Sequence, residues 1–112
     1  MPFNSTLEIN DGTARITLTG ELDASVAPQF RAHVEQAAQA RANRLVLRME
    51  GLSYMSSAGL RALAYAKQKM GAAVDIYMIG VQDAVLETLV MSGFQHSVIL
   101  VNANDTAQIA TL

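Results

Sequence analysis

The segment Arg44–Leu60, RLVLRMEGLSYMSSAGL, decides the fold class of this chain. Its first part, Arg44–Met49, contains the continuous apolar run LVL, which is typical of a central strand buried on both faces. The next residues, Glu50–Ser56, predict a polar loop, and Ser57–Met70, followed by a glycine, predict a helix. A buried strand that leads into a helix is half of a βαβ unit, so the segment predicts a parallel sheet.

Periodicity and turn signals predict the elements on either side of this segment. Thr13–Thr19 alternates strictly between apolar and polar residues, and the turn signal Asn10-Asp11-Gly12 precedes it, so Phe3–Ile9 and Thr13–Thr19 form a predicted hairpin. The remaining predicted elements are a first helix with Pro28 in its first turn, strand Val74–Ile79, helix Gln82–Ser92, strand Ser97–Val101 and helix Asp105–Leu112. The order ββαβαβαβα predicts an α/β fold with a mixed, mostly parallel sheet, an N-terminal β-hairpin and helices packed on it.

The composition predicts one soluble domain. With 112 residues, 51% of them hydrophobic, the chain is long enough to bury a core, and we assign residues 1–112 to a single domain. Eight basic and ten acidic residues give a net charge of −2, so the cationic surface expected for nucleic acid or an anionic membrane is missing. The chain shows no signal-peptide pattern and no apolar run of the roughly 20 residues that span a bilayer, which predicts a cytoplasmic protein without membrane insertion.

The chemistry-bearing residues argue against self-contained catalysis. The two histidines, His33 and His96, have no partner at a metal-ligand spacing, and cysteine is absent. No glycine-rich phosphate loop and no serine-hydrolase motif is present. The sequence therefore predicts a protein that is not an enzyme and has no catalytic residues, no metal site and no cofactor.

Ser56 and Ser57 carry the main functional hypothesis, because function gathers at the carboxyl ends of strands in α/β sheets. One interpretation is structural: a serine at a helix start caps a free N–H and contributes about 1 kcal/mol. The other is phosphorylation, because a helix N-terminus stabilises a phosphoserine charge of about −1.5 to −2. Arg61, four residues after Ser57, is within reach of such a phosphate. Met55 is a candidate partner contact because methionine adapts to partner surfaces, although apolar residues beside a buried strand usually complete the core.

Three segments of the chain resemble a known family. Leu18–Asp23, LTGELD, resembles the segment that ends the hairpin in STAS domains. Leu52–Leu60, LSYMSSAGL, resembles the phosphorylation loop of the stand-alone anti-sigma factor antagonists within that family, and Leu89–Phe94, LVMSGF, resembles their later FxxSG[LF] segment. The match spans nearly the whole chain in the same order of elements, so a single STAS-like domain is expected.

The resemblance implies roles for individual residues. The phosphorylated serine of the family falls on Ser57, and the acidic residue that neighbours it falls on Asp23, either as an acceptor that orients the hydroxyl or as a helix cap. Ser56 stands where the family has aspartate and Ala58 where it has a second serine, so Ser56 is an alternative acceptor. The implied partners are an anti-sigma factor that is also a serine kinase and a PP2C-type phosphatase.

Three hypotheses of function remain open on the sequence. The favoured one is an antagonist of an anti-sigma kinase, whose partner-binding residues are Asp23, Met55, Ser56, Ser57 and Arg61. The second is a STAS module that works by binding alone in a signalling or lipid-transport complex, with the serine merely capping its helix. The third, a small nucleotide-binding or hydrolytic protein, is disfavoured by the lack of a phosphate loop.

Overall fold

A computed structural model describes residues 2–112, which form a five-stranded mixed sheet in the order β1-β2-β3-β4-β5. The predicted α/β fold is confirmed. The elements along the chain are β1 (Asn4–Asn10), β2 (Thr13–Leu22), α1 (Ala27–Gln39), β3 (Arg44–Met55), α2 (Ser57–Met70), β4 (Asp75–Ile79), α3 (Asp83–Ser92), a 3-10 turn (Phe94–Ser97), β5 (Ile99–Val101) and α4 (Thr106–Ile109).

The N-terminal hairpin forms as the alternation predicts. β1 and β2 pair antiparallel, with Leu7 opposite Ile16, and a two-residue turn connects them. Asp11 and Gly12 in this turn have φ angles of 51° and 79°. Two consecutive left-handed residues match the twist of the flanking strands, which explains the preference for Asp-Gly at this position.

The three long helices cover one face of the sheet. Strands β2 to β5 are all parallel and adjacent in sequence order, so every crossover moves in the same direction. Because such crossovers are right-handed, the helices fall on the same side. The main core lies there and joins Leu45 and Leu47 of β3 to Phe30 of α1 and Leu63 of α2, all fully buried.

A second, smaller core lies on the opposite face. Successive side chains of a strand lie on opposite faces of the sheet, so Val46 lies on the face opposite to Leu45 and Leu47. It packs with Ile79 and Val101, and Ile109 of α4 covers them. Arg44 holds the C-terminal segment here by donating to the carbonyl of Thr111 at 2.9 Å. The continuous apolar run at 45–47 is explained by these two cores, because β3 is buried on both faces.

The predicted loop at residues 50–56 was wrong, because β3 continues to Met55. Its second half pairs with the end of β2, with Gly20 opposite Leu52 and Leu22 opposite Met55. The register shifts twice along this pairing, between Thr17 and Thr19 and between Gly20 and Glu21, and each time β3 contributes one residue more than β2. A bulge breaks the strict alternation that identifies a strand in sequence. As a consequence, β3, paired with the end of β2, leads directly into α2 where a loop was predicted.

The other element boundaries need smaller corrections. Gly71 and Gly93 end α2 and α3 as predicted. The last strand is three residues long, because residues 94–97 form a 3-10 turn, and α4 covers four residues rather than the whole of 105–112.

Candidate functional site

The residue that caps α2 is Ser56. Its Oγ accepts a hydrogen bond from the backbone N–H of Gly59 at 3.4 Å, and its own N–H donates to the carbonyl of Leu22 at 2.9 Å. The second bond fixes the start of α2 to the end of β2. Ser56 is therefore a structural residue at the junction of two strands and a helix, and the capping role belongs to it rather than to Ser57.

Ser57 is the first residue of α2, and its side chain is exposed. Within residues 2–112, its hydroxyl makes no hydrogen bond to another protein group. Arg61, one helical turn later, is also exposed, and the one ion pair in the described part of the chain joins Arg48 to Glu50 instead. A serine at this position has free access to a modifying enzyme, and a cationic side chain on its own helix lies near.

A close backbone approach holds α2 against the strands. A Cβ on Gly59 would lie 2.8 Å from Cγ of Met55 and 2.9 Å from Cγ of Leu22, both of which are buried. Real Cβ atoms do not approach other atoms so closely, so only glycine fits here. The position of Ser57 thus depends on a glycine two residues further along the chain.

Asp23 follows the last residue of β2, close to the start of α2, but its carboxylate bonds neither to the hydroxyl of Ser57 nor to the first turn of a helix. Its carboxylate accepts from the hydroxyl of Ser25 at 2.6 Å and from the N–H of Ser25 at 2.9 Å, which closes a local turn. These hydrogen bonds, chiefly the one from the hydroxyl, lower the pKa of Asp23. The expectation that Asp23 orients Ser57 or caps a helix is corrected: α1 begins after Val26 without a side-chain cap.

Met55 is not exposed as a partner contact. It is 2% exposed and belongs to the main core, so the structural interpretation of this residue is the right one. The neighbouring Tyr54, by contrast, is 47% exposed. The apolar surface next to the serines therefore comes from Tyr54.

Ser57 is one of the residues that line an open groove of about 400 Å³. One side of it is formed by the end of β3 and the first turn of α2: Tyr54, Met55, Ser56, Ser57 and Leu60. We call it the Ser57 groove. It places the exposed hydroxyl next to apolar side chains rather than among charged ones.

The opposite side of the Ser57 groove comes from α3, which sequence reasoning did not connect with the serines. Thr88, Met91 and Ser92 line it, and Met91 is 82% exposed. In α3, Val85 and Leu89 are the buried residues, so Met91 falls outside the inward stripe. An apolar residue outside the stripe of an amphipathic helix was the signal available in the sequence.

Other chemistry is sparse in the part of the chain that the structure describes. His33 is half-buried, and its Nδ1 lies 2.6 Å from Oγ of Ser5, which ties α1 to β1. Among residues 2–112, no three His, Cys, Asp or Glu side chains are grouped so that they could hold a metal ion. None of the described helices combines the length and the apolar character needed to cross a membrane.

The comparison with protein families agrees with this architecture. A family model, the STAS domain, matches residues 4–108, and the chain therefore belongs to the STAS domain family. A search of curated proteins found no match.

Solved structures with the same fold come from anti-sigma factor antagonists. One from Mycobacterium paratuberculosis has a TM-score of 0.84 at 21% identity, covering 97% of this chain and 93% of that one. Unphosphorylated SpoIIAA has a TM-score of 0.79 at 24% identity, covering 95% and 93%. SpoIIAA of Bacillus in the phosphorylated form has a TM-score of 0.75 at 22% identity, covering 96% and 98%. At these identities the similarity establishes the fold.

Proposed function

We propose that this chain is an anti-sigma factor antagonist that binds a serine-kinase anti-sigma factor and is released by phosphorylation of Ser57. The observation that carries the proposal is the state of Ser57: an exposed hydroxyl at the first position of α2, without a protein hydrogen-bond partner in residues 2–112. Ser57 is also the residue that corresponds to the phosphorylated serine in the anti-sigma factor antagonists that this sequence resembles.

The local physics favours a phosphate at Ser57 over one at Ser56. A phosphoserine carries about −1.5 to −2 charges, which the positive end of a helix and a nearby cation such as Arg61 stabilise. Because the cap is made by Ser56, a phosphate on Ser57 leaves the helix boundary intact. A phosphate on Ser56 would replace the hydroxyl that bonds to Gly59, at a half-buried site.

The solved relatives support a switch on this fold. SpoIIAA is described in an unphosphorylated and a phosphorylated form, and both resemble this chain over at least 95% of its length. For SpoIIAA, therefore, one architecture exists with and without the phosphate. We extend that property to the present chain.

The proposal implies a set of partners and a location. The kinase that binds the unmodified chain also phosphorylates it, and a PP2C-type phosphatase reverses the reaction. Asp23, Ser57 and Arg61 form the contact surface at the start of α2, and Ser56 holds that start in place through its cap. The chain acts in the cytoplasm as a regulatory protein that performs no catalysis itself.

The test uses the purified chain and the serine-kinase anti-sigma factor of the same organism. Without ATP, we expect the wild type and Ser57→Ala to bind equally and Ser57→Asp to bind at least tenfold more weakly. With ATP, the wild type should be phosphorylated and released, whereas Ser57→Ala should stay bound. Ser56→Ala is the matched control and should still be phosphorylated and released.

Two results would contradict the proposal. Equal binding by Ser57→Ala, Ser57→Asp and the wild type in the presence of ATP would exclude a switch at this residue. A stable complex in which ATP leaves Ser57 unmodified would instead favour a STAS module that works by binding alone.

A further inference from the structure

We infer that the Ser57 groove receives an apolar side chain from a basic amphipathic helix of the partner, and that Met91 of α3 is the main contact for this side chain. The inference rests on the proposed function, because it identifies how the anti-sigma kinase engages the surface around Ser57. It adds α3 to a site whose predicted partner-binding residues lie at the ends of β2 and β3 and in the first turns of α2.

The groove is apolar once its hydroxyl groups are accounted for. Thr88 donates to the carbonyl of Ala84, and Ser92 donates to the carbonyl of Leu89, so both hydroxyls on the α3 side are satisfied within the helix. Ser56 is occupied as the cap of α2. Ser57 and Tyr54 carry the two remaining hydroxyls among the residues that line the groove, and none of those residues is charged. Such a lining fits an aliphatic or aromatic side chain.

The exposure of the lining supports the same conclusion. Among residues 2–112, Met91 is the most exposed large hydrophobic residue at 82%, and Tyr54 across the groove is 47% exposed. Exposed apolar residues that share one concave surface indicate an interaction site more than scattered ones do. A flexible methionine side chain also adapts to the shape of an incoming side chain.

The charges around the groove select a basic partner. Glu21 pairs in register with Tyr54, Asp23 follows the residue bonded to Ser56, and Glu87 lies one turn before Met91. Arg61 is the cation in the first turns of α2, so the segments that adjoin the groove carry three carboxylates and one guanidinium. We call Glu21, Asp23 and Glu87 the acidic rim. An apolar anchor flanked by Lys or Arg on one helix is complementary to a groove with such a rim.

The same charges argue against a second copy of this chain as the occupant. A symmetric dimer would bring one acidic rim against the other, because a two-fold interface uses the same patch on both subunits. Like charges placed opposite each other are unfavourable.

The groove also explains how one phosphate releases a basic partner. An added negative charge at the acidic rim would strengthen the attraction to Lys or Arg slightly, since exposed ion pairs contribute little. A phosphate on Ser57, however, would be attached to a residue that lines the groove. An apolar side chain that binds there would remove water from the phosphate. The desolvation of a charge without a full partner costs far more free energy than an exposed ion pair contributes.

The experiment compares two neighbouring exposed residues of α3 in binding to the anti-sigma kinase. Met91 lines the groove, whereas Val90 is 50% exposed and does not. We expect Met91→Ala to raise the Kd at least tenfold and Val90→Ala to change it less than twofold. Circular dichroism of both variants checks that the fold is kept. Equal effects of the two substitutions would overturn the inference.

The charge of the partner is tested by Glu87→Gln. We expect a two- to fivefold lower association rate, a weaker dependence of that rate on salt, and an unchanged dissociation rate. An unchanged association rate would overturn the basic character of the partner. Loss of self-association in Met91→Ala, measured by sedimentation, together with unchanged kinase binding would make a second copy the occupant instead.

Failure of this inference is distinguishable from failure of the proposed function. If the wild type does not bind the kinase, the proposed function fails. If the wild type binds and is released by phosphorylation, but Met91→Ala behaves like the wild type, only the role of the groove fails.

Discussion

At the residue scale, the boundary between β3 and α2 gives two adjacent serines different surroundings. Ser56 is half-buried and bonded through its backbone and its hydroxyl, whereas Ser57 is exposed and belongs to the first helical turn. Capping requires a residue with extended backbone just before the helix, and Ser56 has φ −82° and ψ 175°. A phosphate acceptor, in contrast, has to be accessible.

This division predicts different costs for the two alanine substitutions. Ser56→Ala removes the cap and should lower the free energy of unfolding by about 1 kcal/mol. Ser57→Ala should change it by less than about 0.5 kcal/mol, because alanine is a good helix former and no bond is lost. Urea denaturation of both variants measures the difference. A larger loss for Ser57→Ala than for Ser56→Ala would show that the cap is assigned to the wrong serine.

At Gly59, we expect the effect of an alanine substitution on stability to be the opposite of what helix propensity predicts. In an exposed helix interior, replacing glycine by alanine stabilises by about 1 kcal/mol. At this position the new Cβ would overlap buried atoms of Met55 and Leu22, so Gly59→Ala should destabilise the fold by about 1–3 kcal/mol. The control is Ala64→Gly on the exposed side of the same helix, which should cost about 1 kcal/mol. A stabilising Gly59→Ala would refute the close approach.

The sequence identifies the residue types of the site better than their contacts. The serine pair and the cation four residues later were recognisable because helix spacing is regular. The hydrogen-bond partner of Asp23 was not recognisable. Ser25, two residues away, binds the carboxylate in a local turn, and such turns compete with hydrogen bonds to groups that are distant in sequence. Burial of Met55 depends on the pairing of β3 with β2, which a local pattern does not reveal.

At the element scale, helices and alternating strands were predictable, and the second half of β3 was not. The buried stripe of α1 at Ala27, Phe30, Val34 and Ala37 follows the helical period. Residues 50–55 contain polar residues and a glycine, which locally indicate a loop. Pairing with the end of β2, which β3 achieves through two bulges of its own, overrides this local preference, since strand propensity depends on context.

The ion pair between Arg48 and Glu50 in the middle of β3 makes the stability of the fold depend on pH. Arg48 donates two hydrogen bonds of 2.9 Å to the carboxylate of Glu50 and lowers its pKa from the ordinary value of 4.5. A lowered pKa in the folded state adds stability above the unfolded value and loses it as the pH falls through the folded value. Because both side chains are about 40% exposed, the contribution is below about 1 kcal/mol.

Glu50→Gln should therefore be slightly less stable than the wild type at pH 7, and the difference should close as the pH falls below 4.5. Urea denaturation as a function of pH measures it. Glu87→Gln is the matched control, since Glu87 is exposed and outside the one ion pair of the described residues, and it should show no such closing. A constant difference at all pH values would mean that the ion pair does not stabilise the fold.

At the scale of the whole molecule, the proposed switch is separated from the parts that hold the fold together. The main core joins three helices to one face of the sheet, and α4 covers the second core on the other face. Ser57 lies in neither core. A phosphate there changes the charge of one surface while both cores keep their contacts, which suits a protein that is modified and restored repeatedly.

The overall topology could be predicted because strands and helices alternate and right-handed crossovers leave few arrangements. The Ser57 groove could not, because it forms between the junction of β3 with α2 and a helix, α3, that comes after a further strand. The sequence shows that Met91 lies outside the inward stripe of α3, but not that this part of α3 lies beside the serines.

The decisive measurement for the switch at Ser57 is the intact mass, with fragment mapping, of the protein isolated from its own cells in growth and under stress. We expect part of the protein to carry one phosphoryl group, mapped to Ser57, and the size of this part to vary with the condition. Absence of the phosphoryl group in every condition, or its location on Ser56, would exclude a switch at Ser57.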